Sequence, residues 1–155
     1  MWELPAYLYF AAVSVPLALI DLRTLRLPNL LTLSAYPIVA GLLLIPALAA
    51  EGWSAYVRAL MSGAIVLALF VVLHLVNPSG MGLGDVKLAG PMGAMLGWVS
   101  WQATLMGVVM GFALVAVVGV ALIAARRANR KSALPFGPFM LAGAWIAILI
   151  PALTS

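Results

Sequence analysis

The sequence predicts an all-α, polytopic membrane protein with six transmembrane helices in one bundle. The 155-residue chain is 66% hydrophobic and 8% charged, with a mean hydropathy of +1.19, and a soluble domain could not bury that much apolar surface. The apolar residues are also grouped into segments, several close to the roughly 20 residues that a helix needs to cross the bilayer core. Because no polar stretch of domain length interrupts them, we expect residues 1–155 to form a single membrane-embedded domain.

Six apolar segments define the predicted helices. They cover Leu4–Ile20, Leu30–Ala50, Tyr56–Val76, Val86–Trp98, Gln102–Ala125 and Pro138–Leu153. The first segment has neither a basic stretch before it nor a small-residue cleavage site after it, so we expect a retained helix and not a signal peptide. The fourth is short, rising only ~20 Å against a hydrocarbon core of ~30 Å. Either this helix stops short of the outer face, or it starts in a water-filled recess below the cytoplasmic surface.

The basic residues predict the orientation of the bundle. Seven of the eight Lys and Arg residues fall in the first, third and fifth loops, at Arg23, Arg26, Lys87, Arg126, Arg127, Arg130 and Lys131. Since cytoplasmic loops are enriched in Lys and Arg, we expect these three loops inside and both termini outside. The same distribution explains the net charge of +4 without a nucleic-acid partner.

Two of the four acidic residues are expected to meet. Asp21 ends the first predicted span and Asp85 begins the fourth, so both emerge on the cytoplasmic face, whereas Glu3 and Glu51 fall on the other side. An acid beside an apolar span indicates a function by default. Two carboxylates that share a site cannot both ionise cheaply, so one can act as general base and the other as general acid. Such a pair can activate water against a peptide carbonyl with no metal and no cofactor.

Glycines flank one of these acids and also recur within two helices. We expect Gly82 and Gly84 to give the backbone conformations closed to other residues, and to leave room for an extended peptide. Small residues four positions apart, Gly93 with Gly97 and Gly107 with Gly111, are typical of close helix packing. That packing could lie within one chain or between copies, so a homodimer stays open.

Three segments carry a resemblance to a known family. They are DLRTLRLPN at residues 21–29, GMGLGDVKL at residues 80–88 and LPFGPFMLAG at residues 134–143. Their content and order resemble those of prepilin peptidases, membrane aspartic proteases that cleave the leaders of type IV prepilins. The resemblance implies an aspartic peptidase in the bacterial inner membrane, with its active site facing the cytoplasm and Asp21 and Asp85 as the catalytic residues. The residues expected to bind substrate are Pro28, Asn29, Gly82, Gly84 and Lys87.

The resemblance also implies a substrate class. Such a substrate is a single-span protein with a short basic leader, a glycine before the scissile bond and an apolar helix after it. Longer family members carry a cytoplasmic region with cysteine motifs and methylate the new N-terminus. This sequence contains no cysteine and resembles the short form that serves Flp-type tight-adherence pili, so we expect cleavage without methylation. Archaeal preflagellin peptidases remain a close variant.

Other interpretations of the polar residues stay open. Asp21 and Asp85 could relay protons or cations in a small transporter. His74 with Ser79 invites comparison with a Ser–His protease, although no nucleophile-elbow pattern surrounds the serine. Lys87 either holds the Asp85 loop or anchors the topology, and Asn29 after a proline could cap the second helix.

Overall fold

Six α-helices form the protein in the computed structural model, which describes residues 1–50, 52–127 and 135–154. They are α1 (Leu4–Thr24), α2 (Asn29–Ala49), α3 (Trp53–Val76), α4 (Leu83–Val99), α5 (Trp101–Ala124) and α6 (Gly137–Thr154). The described residues contain no β-strand, so the predicted all-α class and the six helices are confirmed. Glu51, Arg130 and Lys131, which entered the prediction of orientation, lie outside the described residues.

Four helices have the length and apolar composition needed to cross a membrane. These are α1, α2, α3 and α5, and they have between 21 and 24 residues each. Helix α6 is shorter, and α4 has 17 residues, a rise of about 25 Å. The length and apolar composition of these helices identify an integral membrane protein.

Helix α4 lies at the centre of the bundle. It contacts α2, α3, α5 and α6, and every residue from Asp85 to Trp98 except Lys87 is buried. The surrounding helices also contact one another: α5 packs against α6, and α6 packs against α1. A helix that is covered on all sides needs small residues where its neighbours approach, which explains its glycine and alanine content.

The predicted start of the fourth helix was wrong by three residues. Helix α4 begins at Leu83 and not at Val86, so Asp85 lies inside its first turn instead of in the preceding loop. With the extra turn, the helix rises about 25 Å instead of the predicted ~20 Å, so it comes closer to the ~30 Å thickness of the hydrocarbon core. The irregular connection between α3 and α4 is therefore limited to residues 77–82.

The predicted small-residue pairs do pack helices together, and they do so within the chain. A Cβ atom added at Gly93 would lie 3.0 Å from the carbonyl oxygen of Ser62 on α3. A Cβ added at Gly143 of α6 would lie 2.5 Å from the backbone nitrogen of Gly111 and 2.7 Å from the oxygen of Gly107, both on α5. These contacts are with backbone atoms, which cannot rotate away as a side chain can.

Gly143→Ala should therefore destabilise the bundle. The added methyl group would force α5 and α6 apart, and overpacking of this kind costs about 1–3 kcal/mol. Gly41→Ala is the matched control, because a Cβ added there meets no atom within 4 Å. Thermal unfolding in detergent should show a clearly lower midpoint for Gly143→Ala alone. Equal midpoints for the two variants would contradict the backbone contact between α5 and α6.

Candidate active site

Asp21 lies in the last turn of α1. The helix continues to Thr24, one turn beyond the predicted span, and Asp21 is only 4% exposed. Leu25 then ends the helix with a left-handed backbone, φ 54°, and donates its N–H to the Asp21 carbonyl oxygen at 2.9 Å. A left-handed residue is the usual way to end a helix, although glycine is more common there. The chain thus changes direction one helical turn after Asp21.

The Asp21 carboxylate is held by the start of α6. Its Oδ2 accepts a hydrogen bond from the backbone N–H of Gly137 at 2.9 Å. A Cβ at position 137 would lie only 2.8 Å from the same oxygen, so only glycine allows this approach. From the sequence, the PFGPF segment was interpreted as part of the family resemblance and as the structural entry to the last helix, with Pro138 in its first turn and Phe136 and Phe139 at an interface or a substrate wall. The contact that Gly137 makes with Asp21 was missed, because nothing in the sequence pairs residues 116 positions apart.

Asp85 lies in the first turn of α4, where the helix dipole favours an acidic side chain. It is 8% exposed, and the backbone of Gly82 forms a hydrogen bond with its carboxylate. Its other oxygen, Oδ1, is buried and has no hydrogen-bond partner among the described residues. An unpartnered buried oxygen of this kind is unfavourable for folding.

One cavity brings together the residues predicted for the site. It has a volume of about 640 Å³ and lies where the α1–α2 connection faces the first turn of α4. Both aspartates line it, and so do the five residues predicted to bind substrate. Those five are Pro28, Asn29, Gly82, Gly84 and Lys87. The two carboxylates therefore share one end of the bundle and one space.

Asn29 and Lys87 contact each other across this cavity. Lys87 Nζ donates a hydrogen bond to Asn29 Oδ1 at 2.7 Å, and the Tyr36 hydroxyl donates to the Lys87 carbonyl oxygen at 2.7 Å. The predicted capping role of Asn29 was wrong, because Pro28 is the N-cap residue of α2 and no side chain caps that end. The pair joins α2 to α4, so Lys87 does hold the segment that carries Asp85.

The unusual backbone conformations predicted for the two glycines were wrong. Gly82 has φ −70° and ψ 150°, which any residue can adopt, and no glycine in the described residues has a positive φ. Gly84 is needed for space: an added Cβ would lie 2.8 Å from the Cβ of Leu27, a buried residue of the α1–α2 connection. Gly84 therefore allows this connection to pack directly on α4.

His74 supports the loop that precedes Asp85. Its Nδ1 lies 2.6 Å from the carbonyl oxygen of Met81, and because a carbonyl only accepts, the ring nitrogen must donate. Ser79 instead donates to Asn77 Oδ1 at 3.0 Å. The hydrogen bonds of both side chains therefore go to other residues, and the arrangement does not favour a Ser–His protease. Sequence reasoning missed this supporting role. The sequence does not show that His74, in the last turn of α3, lies within hydrogen-bond distance of the Met81 carbonyl group.

The geometry agrees with what comparison with known proteins finds. The model of the type IV leader peptidase family matches residues 8–153. The chain belongs to this family. It is 33% identical over 153 residues to a prepilin leader peptidase/N-methyltransferase from Aeromonas salmonicida, a match that covers 96% of this chain and 50% of that protein. The protein of the same name from Aeromonas hydrophila is 34% identical over 151 residues, again covering 96% of this chain and 50% of the relative.

The match to curated relatives covers only part of their length. A prepilin leader peptidase/N-methyltransferase from Pseudomonas putida is 38% identical over 93 residues, or 56% of this chain and 31% of that protein. The chain thus spans at most about half the length of these relatives. No solved structure matches it.

The contact between Asn29 and Lys87 should be measurable as a coupling between α2 and α4. We expect Asn29→Leu and Lys87→Met to be non-additive in thermal or denaturant unfolding, with a coupling of roughly 0.5–1 kcal/mol, because the bond is charge-assisted but partly exposed. The double variant completes the cycle. Strictly additive effects would mean that the two side chains do not interact in the membrane protein.

Proposed function

We propose that this protein is an aspartic endopeptidase of the bacterial inner membrane that removes the short basic leader from type IV prepilin-like precursors at the cytoplasmic face. The observation that carries the proposal is the cavity shared by Asp21 and Asp85, in a chain of the leader peptidase family. Flp-type prepilins are the proposed substrates within that class. This narrower choice is supported by the motif resemblance.

The proposed chemistry uses the two carboxylates as a base and an acid. The ionised carboxylate accepts a proton from water as the water oxygen bonds to the scissile carbonyl carbon. The tetrahedral intermediate then breaks its C–N bond, and the protonated carboxyl gives its proton to the leaving amine. Two observations support this use of the pair. Gly137 fixes the Asp21 carboxylate, and Asp85 lines the same cavity with one oxygen, Oδ1, that has no hydrogen-bond partner among the described residues.

The substrate must present an extended peptide bond to these carboxylates. A helical segment keeps its peptide groups in its own hydrogen bonds, so the scissile region has to unwind before attack. The expected glycine before the bond favours unwinding, because glycine is a poor helix former. The cavity opens between the α1–α2 connection and the start of α4, so an extended leader can reach the dyad from that end of the bundle.

A transport function is less well supported by the buried polar groups. Apart from the aspartates, the buried polar side chains of the described residues are Ser14, Thr32, Ser62 and Thr104. Each hydroxyl donates to a backbone carbonyl of a neighbouring residue or helix. The described core therefore offers no second ionisable group through which a proton could leave the dyad toward the opposite end.

Asp21→Asn and Asp85→Asn should each abolish cleavage of a co-expressed candidate prepilin. The amide keeps the shape of the side chain but cannot exchange a proton with water, and loss of general acid–base catalysis costs at least ~100-fold. Processing is followed by the mobility of the prepilin on a gel, at matched amounts of inserted enzyme.

Glu3→Gln is the matched control for these substitutions. It makes the same change to an acid at the N-cap of α1, where the side chain forms no capping hydrogen bond, so cleavage should remain close to wild type. A folded Asp85→Asn variant that cleaves at the wild-type rate would rule out the aspartic mechanism.

The proposed orientation can be tested by single-cysteine labelling, since the chain has no cysteine of its own. Arg23 and Arg126 are exposed at the dyad end, and Trp2 and Trp53 are 60% and 50% exposed at the other end. A membrane-impermeant maleimide should label Trp2→Cys and Trp53→Cys in spheroplasts, and Arg23→Cys and Arg126→Cys only after lysis. The reverse pattern would place the dyad on the outer face and contradict cleavage in the cytoplasm.

A further inference from the structure

Pro91 interrupts the backbone hydrogen bonds of α4 close to the dyad. In an α-helix the N–H of each residue donates to the carbonyl oxygen four residues earlier. Proline has no N–H, and its ring crowds the carbonyl group that would have received the bond. Because Pro91 lies inside α4, the carbonyl group left without a helical donor is that of Lys87, two residues after Asp85. This group needs another donor, since an unpaired backbone carbonyl away from water is unfavourable.

Tyr36 of α2 provides that donor. Its hydroxyl donates to the Lys87 carbonyl oxygen at 2.7 Å, a distance typical of a good O–H···O hydrogen bond. The ring reaches α4 over Gly90, where an added Cβ would lie 2.6 Å from Tyr36 Cε1, so a side chain at position 90 would displace the ring. The hydrogen bond that the proline removes within α4 is thus replaced by one between α2 and α4.

The proline also divides α4 into two parts that are held by different helices. Beyond the proline, Ser62 and Arg58 of α3 donate hydrogen bonds to carbonyl groups of α4. Before the proline, the side-chain hydrogen bonds that join α4 to other helices among the described residues involve Tyr36 and Asn29 of α2. This first part carries Asp85. The direction in which Asp85 is presented therefore depends on α2.

An apolar cavity borders the proline on one side. The cavity has a volume of about 390 Å³ and lies between α2, α3 and α4. Tyr36, Gly90 and Pro91 line it, and its other lining residues are glycine, alanine, valine or leucine. A hydrogen bond in such surroundings is strengthened by the low dielectric. The space beside the proline also gives the first part of α4 room to tilt once that bond is lost.

We propose that Tyr36 is a positioning residue for Asp85: its hydroxyl replaces the helical donor that Pro91 lacks, and so fixes the part of α4 before the proline relative to Asp21. The inference rests on the proposed peptidase function. The described residues that line the cavity of the two aspartates do not include Tyr36, so its influence reaches the chemistry through α4. Acid–base catalysis depends strongly on geometry, and a displacement of about 1 Å can lower the rate by about 100-fold.

Tyr36→Phe should lower kcat for cleavage of a prepilin-type substrate in detergent or liposomes by at least about 10-fold. The substitution removes the hydroxyl and keeps the ring, so the Lys87 carbonyl loses its donor while the packing over Gly90 remains. KM should change by less than about 2-fold, because an effect on the position of Asp85 alters the chemical step and not the binding of substrate.

Pro91→Ala tests the reason for this loss, since it restores a backbone N–H four residues after Lys87. In the Pro91→Ala background, Tyr36→Phe should change kcat by less than about 2-fold, because the carbonyl group then has a donor within α4. The comparison is between two effects of the same substitution, so any effect of Pro91→Ala by itself cancels.

Tyr56→Phe is the matched control. The Tyr56 hydroxyl also donates to a carbonyl oxygen of another helix, that of Ala40 on α2, at 3.3 Å. Leu44, four residues later, has its own N–H, so the Ala40 carbonyl keeps a helical donor when the hydroxyl is removed. Cleavage by Tyr56→Phe should therefore stay within about 2-fold of wild type.

Thermal unfolding in detergent provides a second measurement that needs no substrate. Tyr36→Phe should lower the midpoint by about 2–4 °C in the wild-type background and by less than about 1 °C in the Pro91→Ala background. The difference is expected because the lost hydroxyl leaves the Lys87 carbonyl unpaired only where the proline is present.

The outcomes separate this inference from the proposed function. An unchanged kcat in Tyr36→Phe, or an equal loss of kcat in both backgrounds, would overturn the inference. If the unfolding midpoints depend on the background but kcat does not, the hydroxyl stabilises α4 without positioning Asp85, and the inference is overturned as well. If wild type cleaves no candidate prepilin while the midpoints still depend on the background, the hydrogen bond is as described and it is the proposed function that fails, and the positioning role with it.

Discussion

The hydrogen bond from the Gly137 N–H to Asp21 Oδ2 is the contact on which the arrangement of the site depends. It joins the end of the first helix to the start of the last, and no side chain at position 137 could be accommodated beside that oxygen. By fixing this approach it sets the position of Phe136, the residue before Gly137, whose ring packs edge to face on that of Phe112. A backbone donor is well suited to the task, because it cannot rotate away as a side-chain donor can.

Helix α4 is held at both ends, and this holds Asp85. At its start, Lys87 bonds to Asn29 on α2, while His74 of α3 holds the preceding loop at Met81. At its end, the half-buried guanidinium of Arg58 donates to the carbonyl oxygens of Gly97 and Trp98 at 2.6 Å and 2.7 Å. These carbonyls have no partner within the helix, and a cation at a helix C-terminus is favourable. Arg58 therefore has a structural role at the end of α4. This role was not predicted, because in the sequence Arg58 is simply the one basic residue outside the first, third and fifth loops.

The apolar segments of the sequence predicted the number and order of the helices. The rarity of acidic residues predicted which two would line one cavity, because only Asp21 and Asp85 follow and precede apolar segments on the same face. What the sequence could not predict are pairings between distant segments, such as Gly137 with Asp21 or Arg58 with the end of α4. The glycines show the same limit in another way. One residue type serves both unusual backbone angles and close packing, and only the position of Leu27 reveals that Gly84 serves packing.

The bundle accepts an unfavourable feature at the place where chemistry is proposed. Asp85 Oδ1 is buried without a hydrogen-bond partner among the described residues, and such a group typically costs about 1–3 kcal/mol of stability. The hydroxyl groups buried elsewhere in the described core, such as those of Ser62 and Thr104, are all hydrogen-bonded. This exception belongs to a carboxylate that shares its cavity with a second acid, and it agrees with the proposed chemistry, in which one carboxylate accepts a proton from water.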